Sequence, residues 1–170
     1  MFNPTETAIV FDPKTGAEIF RAKGNHDTIE FDKAQWNAMR DNIATHNHPS
    51  GTSFSIFDVN VLAAQKAREI RAVGKREDGT VWRYRMYRDS DDPVLTTAWL
   101  QDTYNRRMQE TQANFWKQWK PMLERKERGE LSQQDMDAFL EKMNMERNHV
   151  IWEGAPLASA GLKYEAKRLT

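Results

Sequence analysis

The segment Thr45-His46-Asn47-His48-Pro49-Ser50-Gly51, followed by Ser55-Ile56-Phe57-Asp58, gathers residue types that bind divalent metals. Asn42-Ile43-Ala44-Thr45 reads as a short strand leading into it. Residues i and i+2 of a strand share a face, so His46 and His48 project the same way, with Cα atoms about 6.5 Å apart. Both imidazoles can then reach one ion. Asp58 falls where a helix is expected to begin and could add an oxygen ligand. Three protein ligands plus a water form the usual plan of a catalytic zinc site. Each part also has a plainer reading. A lone histidine is more often structural than a ligand. Ser55-x-x-Asp58 fits an N-cap serine with a carboxylate at the third helical position. The two readings are compatible, because a cap can orient the helix that presents the carboxylate. The Pro49-Ser50-Gly51 turn would bring backbone and side chains close to a bound group.

The elements that must position these residues follow from periodicity. Ala8-Ile9-Val10-Phe11 and Ala17-Glu18-Ile19-Phe20-Arg21 read as a hairpin about the turn Asp12-Pro13-Lys14-Thr15-Gly16. Thr28-Ile29-Glu30-Phe31 is expected as a further strand, and Asp32 as the cap of a short helix through Arg40. Ser55 starts a helix with Ile56, Val59, Leu62 and Ala63 at helical spacing. Glu69–Val73 and Thr80–Tyr87 are strands joined across Asp78-Gly79. The second of them places Trp82, Tyr84 and Met86 on one face. The chain divides near Asp91-Asp92-Pro93. Beyond it, Asp92-Pro93 reads as a helix start. Leu100, Tyr104, Met108, Thr111, Phe115, Trp119 and Met122 then step by three or four. Pro121 should kink or weaken that helix, and Arg128-Gly129 should end it. Ser132-Gln133-Gln134-Asp135 resembles a capping box for a helix reaching about Met145. Trp152–Thr170 yields no assignment. The expected fold class is α/β (α+β), with residues 1–91 as the metal-binding domain and 92–170 as a helical extension packed on it.

Composition narrows the function classes. The chain has 170 residues, six of them tryptophan, enough to build one cored domain with an appendage. Acidic and basic residues balance at 25 each, so no bulk field points to nucleic acid or anionic lipid. Cysteine is absent, which excludes disulfides, thiolate zinc sites and the Cys-x-x-Cys of zinc deaminases. The N-terminus, Met1-Phe2-Asn3-Pro4-Thr5-Glu6, has no basic region or long apolar run, so no signal peptide is expected. No segment approaches 18 apolar residues, so no membrane-spanning segment is expected either. These features fit a cytoplasmic location.

His-x-His-Pro followed by Ser-x-x-Asp resembles the JAMM (JAB, MPN-plus) metalloproteases and the related RadC proteins, which carry the same His-Asn-His-Pro-Ser-Gly string. The order of elements around it is also similar. The resemblance implies a JAB/deaminase-like mixed sheet flanked by helices. It implies zinc, or another divalent metal, on His46, His48 and Asp58. It implies Ser55 as the residue that helps hold the tetrahedral intermediate, and Glu6, just before the first strand, as the general base. Glu18 and Glu30 are weaker candidates for that base. This loop is one residue shorter than is usual in the family. The sequence is similar to the His-Asn-His-Pro-x-Gly-x-Ser-Phe-Ser-x-x-Asp domains of MuF-type phage head proteins and bacterial polymorphic toxins, which share the short loop and the following Glu-Ile-Arg-Ala-Val. The resemblance covers about Glu6 to Tyr87. It implies a zinc-dependent hydrolase of a peptide or isopeptide bond, phage-borne or a secreted effector, with a protein or peptide substrate.

Two other function classes compete with that expectation. A metal-dependent nuclease is suggested by the literal His-Asn-His string, but a ββα nuclease needs its Asn and second His well downstream in a helix, and Asn148-His149 is far away in sequence. A non-enzymatic head or interaction module would keep the fold without a metal requirement. Leu100, Tyr104, Met108, Phe115 and Trp119 form a candidate face for a protein partner or an immunity protein. Phe115-Trp116-x-x-Trp119, near Arg106, Arg107, Lys117 and Lys120, could stack on bases, although such a stripe usually packs against protein. Arg83, Arg85 and Arg88 read as a solvated face that could meet phosphate. His26 reads as a loop residue, and His149 as a helix-end residue beside the C-terminal dipole.

Overall fold

Apolar residues at alternate positions set the strands of the central sheet. The computed structural model describes residues 5–25, 28–76, 78–89 and 94–170. In chain order the elements are β1 (Thr7–Phe11), β2 (Glu18–Lys23), α1 (Lys33–Ala38), β3 (Ile43–His48), α2 (Ile56–Ala64), β4 (Glu69–Lys75), β5 (Val81–Arg88), α3 (Thr97–Glu127), α4 (Gln133–Glu153), a 3-10 turn (Leu157–Ala160) and β6 (Leu162–Arg168). The six strands form one mixed sheet in the order β2-β1-β3-β4-β5-β6. Only β3 and β4 run parallel, joined by α2 as a crossover; the other neighbours are antiparallel. This is the mixed α+β sheet with C-terminal helices expected from the sequence.

Register explains what the sheet positions. Val10, Ala44, Ile70 and Met86 form one row across β1, β3, β4 and β5; Ala8, His46, Ala72 and Tyr84 form the next. Both rows face the helices, where Val59 and Leu62 of α2, Leu100 of α3, and Ile151 and Trp152 of α4 complete a buried core. The third row on this face is His48, Gly74 and Trp82. The two histidines therefore stand on the core-facing side, where the apolar rows end. The opposite face is mixed, with Ile9, Ile43 and Val73 among charged and polar residues. Glu69, 4% exposed, is held there by Arg71 and by Arg85 (2.6 and 3.0 Å), and Arg85 also reaches Glu165. Arg85 is thus committed to ion pairs with carboxylates.

Several expectations are revised. Thr28–Phe31 is not a strand: the Asn25 N–H donates to the Thr28 carbonyl (2.8 Å), the segment turns back, and Phe31 packs its ring on Phe20 and Trp36. The cap at Asp32 is present with Gln35 as its reciprocal partner, but α1 ends at Ala38 rather than Arg40. Residues 90–93, including the Asp92-Pro93 helix start, lie outside the described residues. Helix α3 begins at Thr97 under a Thr96 cap. It continues through Pro121, which is exposed, so the loss of one backbone bond there does not break it. The capping box at Ser132 and Asp135 is present, and α4 runs past Met145 to Glu153, because no breaker occurs before Gly154. The unassigned tail supplies β6, paired along the whole of β5. The 92–170 stretch is therefore helical only in part, and it completes the sheet that begins in 1–91. Its inward residues, Leu162, Tyr164 and Ala166, alternate with Lys163, Glu165 and Lys167, charges that suit an exposed edge.

The turn after β3 lies against β4. Gly51 has φ +73°, and its N–H donates to the His48 carbonyl at 3.0 Å. A Cβ on Gly74 would sit 2.6 Å from the Gly51 Cα, a backbone atom that cannot swing aside. Gly74→Ala is expected to push this turn off the sheet and cost about 2–3 kcal/mol, read as a lowered denaturant midpoint with an unchanged slope.

Candidate metal centre

Three side chains from two elements converge at the carboxyl end of β3. His46 and His48 come from the strand and Asp58 from the first turn of α2. The His46 Nε2 and His48 Nε2 lie 2.7 Å apart; His46 Nε2 is 3.2 Å from Asp58 Oδ1, and His48 Nε2 is 3.6 Å from Asp58 Oδ2. A tetrahedral ion with bonds of 2.0–2.1 Å needs ligand atoms about 3.3 Å apart; the two nitrogens stand closer than that, and each has one of the two Asp58 oxygens near that separation. The side chains are 13%, 8% and 22% exposed, so the cluster is sheltered yet open on one side. His46, His48 and Asp58 thus form a triad that could hold a metal ion.

Hydrogen bonds aim two of the ligands, His48 and Asp58. The Nδ1 of His48 lies 2.7 Å from the Thr52 carbonyl, which can only accept. In the neutral ring Nδ1 therefore carries the proton and Nε2 presents a lone pair to the centre. Asp58 is aimed by the capping box. The backbone N–H and the hydroxyl of Ser55 both donate to Oδ2 at 2.7 Å, and the Asp58 N–H donates back to the Ser55 Oγ at 3.3 Å. This leaves Oδ1 toward His46. The N-terminal end of α2 also favours a negative charge at this position.

Glu6 precedes β1, whose Ala8 pairs with His46 and whose Thr7 follows Glu6 directly. Continuing that register sets Glu6 opposite His48 on the same face of the sheet. Its negative charge contributes to the His48 environment. Asn47, between the two histidines, fixes this segment. Its side chain accepts from the Thr7 N–H at 2.7 Å and donates to the Thr5 carbonyl at 3.1 Å. Pairing both sides of Glu6 in this way extends the sheet edge by one step. The signal was the asparagine between two ligands, which alternation places on the other face.

Other candidates fall elsewhere. Ser55 reaches the cluster only through Asp58, to which its hydroxyl proton is given. Glu18 pairs with Arg21 on β2, and Glu30 lies in the coil before α1. His26 lies outside the described residues. His149, four residues before the end of α4, meets the Tyr164 hydroxyl (2.9 Å) through Nδ1 and has Glu153, the last residue of the helix, 3.9 Å from Nε2. The expected partner face is corrected. Leu100 is fully buried in the core, Tyr104 and Met108 pack against that core, and α4 covers this part of α3. Phe115 and Trp119 stack on each other and on Phe139 of α4, with ring centres 5.7–6.0 Å apart, so the aromatic stripe is mainly a packing seam. Trp116 and Leu123 are the exposed apolar side chains of that helix. Comparison of the chain with protein-family models, curated proteins and solved structures finds no match. The chemistry of the site is therefore read from its geometry.

The metal-free cluster is held by opposed charges. Burial pushes the Asp58 carboxyl up, but the neighbouring His46 and His48 outweigh it and hold it well below the ordinary 3.8. Burial works against protonating His48, but the bond and charge of Asp58, the Thr52 carbonyl and the charge of Glu6 together outweigh it and raise it above 6.5. A raised histidine adds stability below its unfolded pKa and loses it as the pH rises through its folded pKa. A lowered carboxyl adds stability above its unfolded pKa and loses it as the pH falls through its folded pKa. In chelator, the stability gap between wild type and Asp58→Asn is expected to peak near pH 5, between these two ordinary values. Denaturant unfolding across the pH range should show the gap shrinking toward both acid and alkaline ends.

Proposed function

We propose that this protein is a zinc-dependent hydrolase of JAMM type that cleaves a peptide or isopeptide bond. The observation that carries the reading is the convergence of His46, His48 and Asp58 on one point, with Glu6 on the same face of the sheet. Two neutral nitrogens and one carboxylate oxygen suit zinc, although other divalent ions accept the same donors. Zinc, when bound, supplies a Lewis acid that polarises the scissile carbonyl. His46, His48 and Asp58 hold it, each fixed by its own strand, loop or cap. Glu6 takes a proton on its carboxylate from the attacking water and gives it to the leaving amine nitrogen. Phe57, 82% exposed beside Asp58, offers an apolar contact to a chain lying across the site. A JAB-like origin for the β3–α2–β4 unit, with delivery by phage or secretion system, belongs to the same proposal.

One observation favours a second reading, a non-enzymatic module that keeps the fold. The Ser55 hydroxyl gives its one proton to Asp58, so it can serve an oxyanion only after leaving that carboxylate. A nuclease is less favoured, because Asn148 and His149 bond to the Ser53 carbonyl and the Tyr164 hydroxyl and do not join the triad.

Purified wild-type protein is expected to carry about one zinc per chain, and His46→Ala or Asp58→Ala to carry none. Glu6→Gln should keep the metal and lose about 100-fold or more in hydrolysis of a peptide library. Metal analysis of the wild type showing no ion would sink the hydrolase. Metal binding with no turnover, equal in wild type and Glu6→Gln, would favour the binding module.

A further inference from the structure

The loop between the second histidine and the aspartate is irregular, yet Gly51, Ser53 and Phe54 are buried. Buried carbonyls need donors, and a loop without a ladder must find them elsewhere. Four successive carbonyls here each accept from a side chain. Gly51 takes the Tyr84 hydroxyl at 3.2 Å, Thr52 the His48 Nδ1 at 2.7 Å, Ser53 the Asn148 Nδ2 at 3.4 Å and Phe54 the Trp152 Nε1 at 2.8 Å. The Ser53 hydroxyl is also 2.8 Å from the Tyr164 hydroxyl, which meets His149 at 2.9 Å. Three of these residues, Asn148, His149 and Trp152, belong to α4, and Tyr164 belongs to β6.

We infer that α4 and β6 form a clamp that positions the metal ligands, with Asn148, Trp152 and Tyr164 as positioning residues. The inference rests on the metal-centre reading above. The link is mechanical. The ring of His48 is oriented by the Thr52 carbonyl. That carbonyl is fixed because its neighbours on either side are held, by Tyr84 on one side and by Asn148, Trp152 and Tyr164 on the other. The Phe54 carbonyl bonded to Trp152 stands just before Ser55, whose cap aims Asp58. The clamp therefore holds the Asp58 end of the span between two ligands, while Tyr84 of β5 holds the His48 end. A cavity of about 460 Å³ lined by Trp82, His149, Trp152, Glu153, Leu157 and Tyr164 opens behind it, so the side chains that hold the loop also face a space outside the metal centre.

The test is metal binding by the full chain. Trp152→Phe keeps an apolar ring and removes the donor; Tyr164→Phe removes only a hydroxyl. Each is expected to weaken zinc affinity about 10-fold, the scale seen when groups that orient ligands are lost. The visible spectrum of the cobalt-substituted protein should shift, whatever fall in melting temperature the lost hydrogen bond itself causes in chelator. A role in stability alone would lower that melting temperature and leave the affinity and the cobalt spectrum of the folded protein unchanged. Hydrogen exchange on the wild type needs no variant: adding zinc should slow exchange at residues 148–152 and 162–166, because coupling is reciprocal. Wild-type affinity and spectrum in both folded variants, or zinc protection confined to residues 46–58, would overturn the clamp and leave the metal centre standing. A wild type that binds no zinc would overturn the metal centre and the clamp together.

Discussion

The backbone from Gly51 to Ser55 leaves a strand, turns back against β4 and enters a helix, with most of it under the protein surface. A buried backbone without a ladder costs free energy for every unpaired group, about 1–3 kcal/mol each. The surrounding structure answers that demand group by group. Tyr84 comes from β5, Asn148 and Trp152 from α4, and His48 from the strand that starts the loop. Gly51 and Gly74 let two backbones approach more closely than any side chain would allow. The candidate metal centre inherits its geometry from this arrangement, because the loop joins two of its three ligands.

The polar cluster sits where the apolar rows of the sheet run out. His46 shares a row with Ala8, Ala72 and Tyr84, and His48 shares the next with Gly74 and Trp82. Small neighbours leave room for imidazoles. The parallel pairing of β3 and β4 requires a crossover, and α2 as that crossover brings its N-terminal end to the carboxyl end of β3. A carboxylate in the first turn of such a helix is favoured by the exposed N–H groups there. Sheet topology and helix electrostatics therefore bring Asp58 toward the histidines, and the Ser55 cap and the loop before it fix its position.

The helical hairpin serves two ends. Its inner half, from Leu100 to Met108 on α3 and Asn148 to Trp152 on α4, closes the core and holds the loop. Its outer half is stitched by Phe115, Trp119 and Phe139, stacked across the two helices. Among the described residues no helix is long and apolar enough to cross a membrane, and the charged outer positions of α3 and α4 agree with that.

Much of this was legible in the residues themselves. Alternation gave the strands on either side of the Asp12–Gly16 and Asp78-Gly79 turns, and Ser-x-x-Asp marked two helix starts, because these signals act over a few neighbouring residues. The i, i+2 spacing of His46 and His48 put them on one face for the same reason. What lay beyond local signals needed the tertiary structure. Strand β6 has a short, lysine-rich pattern that gains meaning only beside β5. The last turns of α4 run on to Gly154, the first breaker, and meet the loop there, a role that only the tertiary structure gives them. The stripe at Leu100 and Tyr104 looked free until α4 covered it. Asn47, silent as a sequence feature, pins the segment of Glu6 only once β1 lies beside β3. The sequence by itself determined which side chains could bind a metal, since that depends on residue type and local spacing. The tertiary structure decided whether they meet, since Asp58 and the loop before it are placed by hydrogen bonds from residues up to 111 positions away.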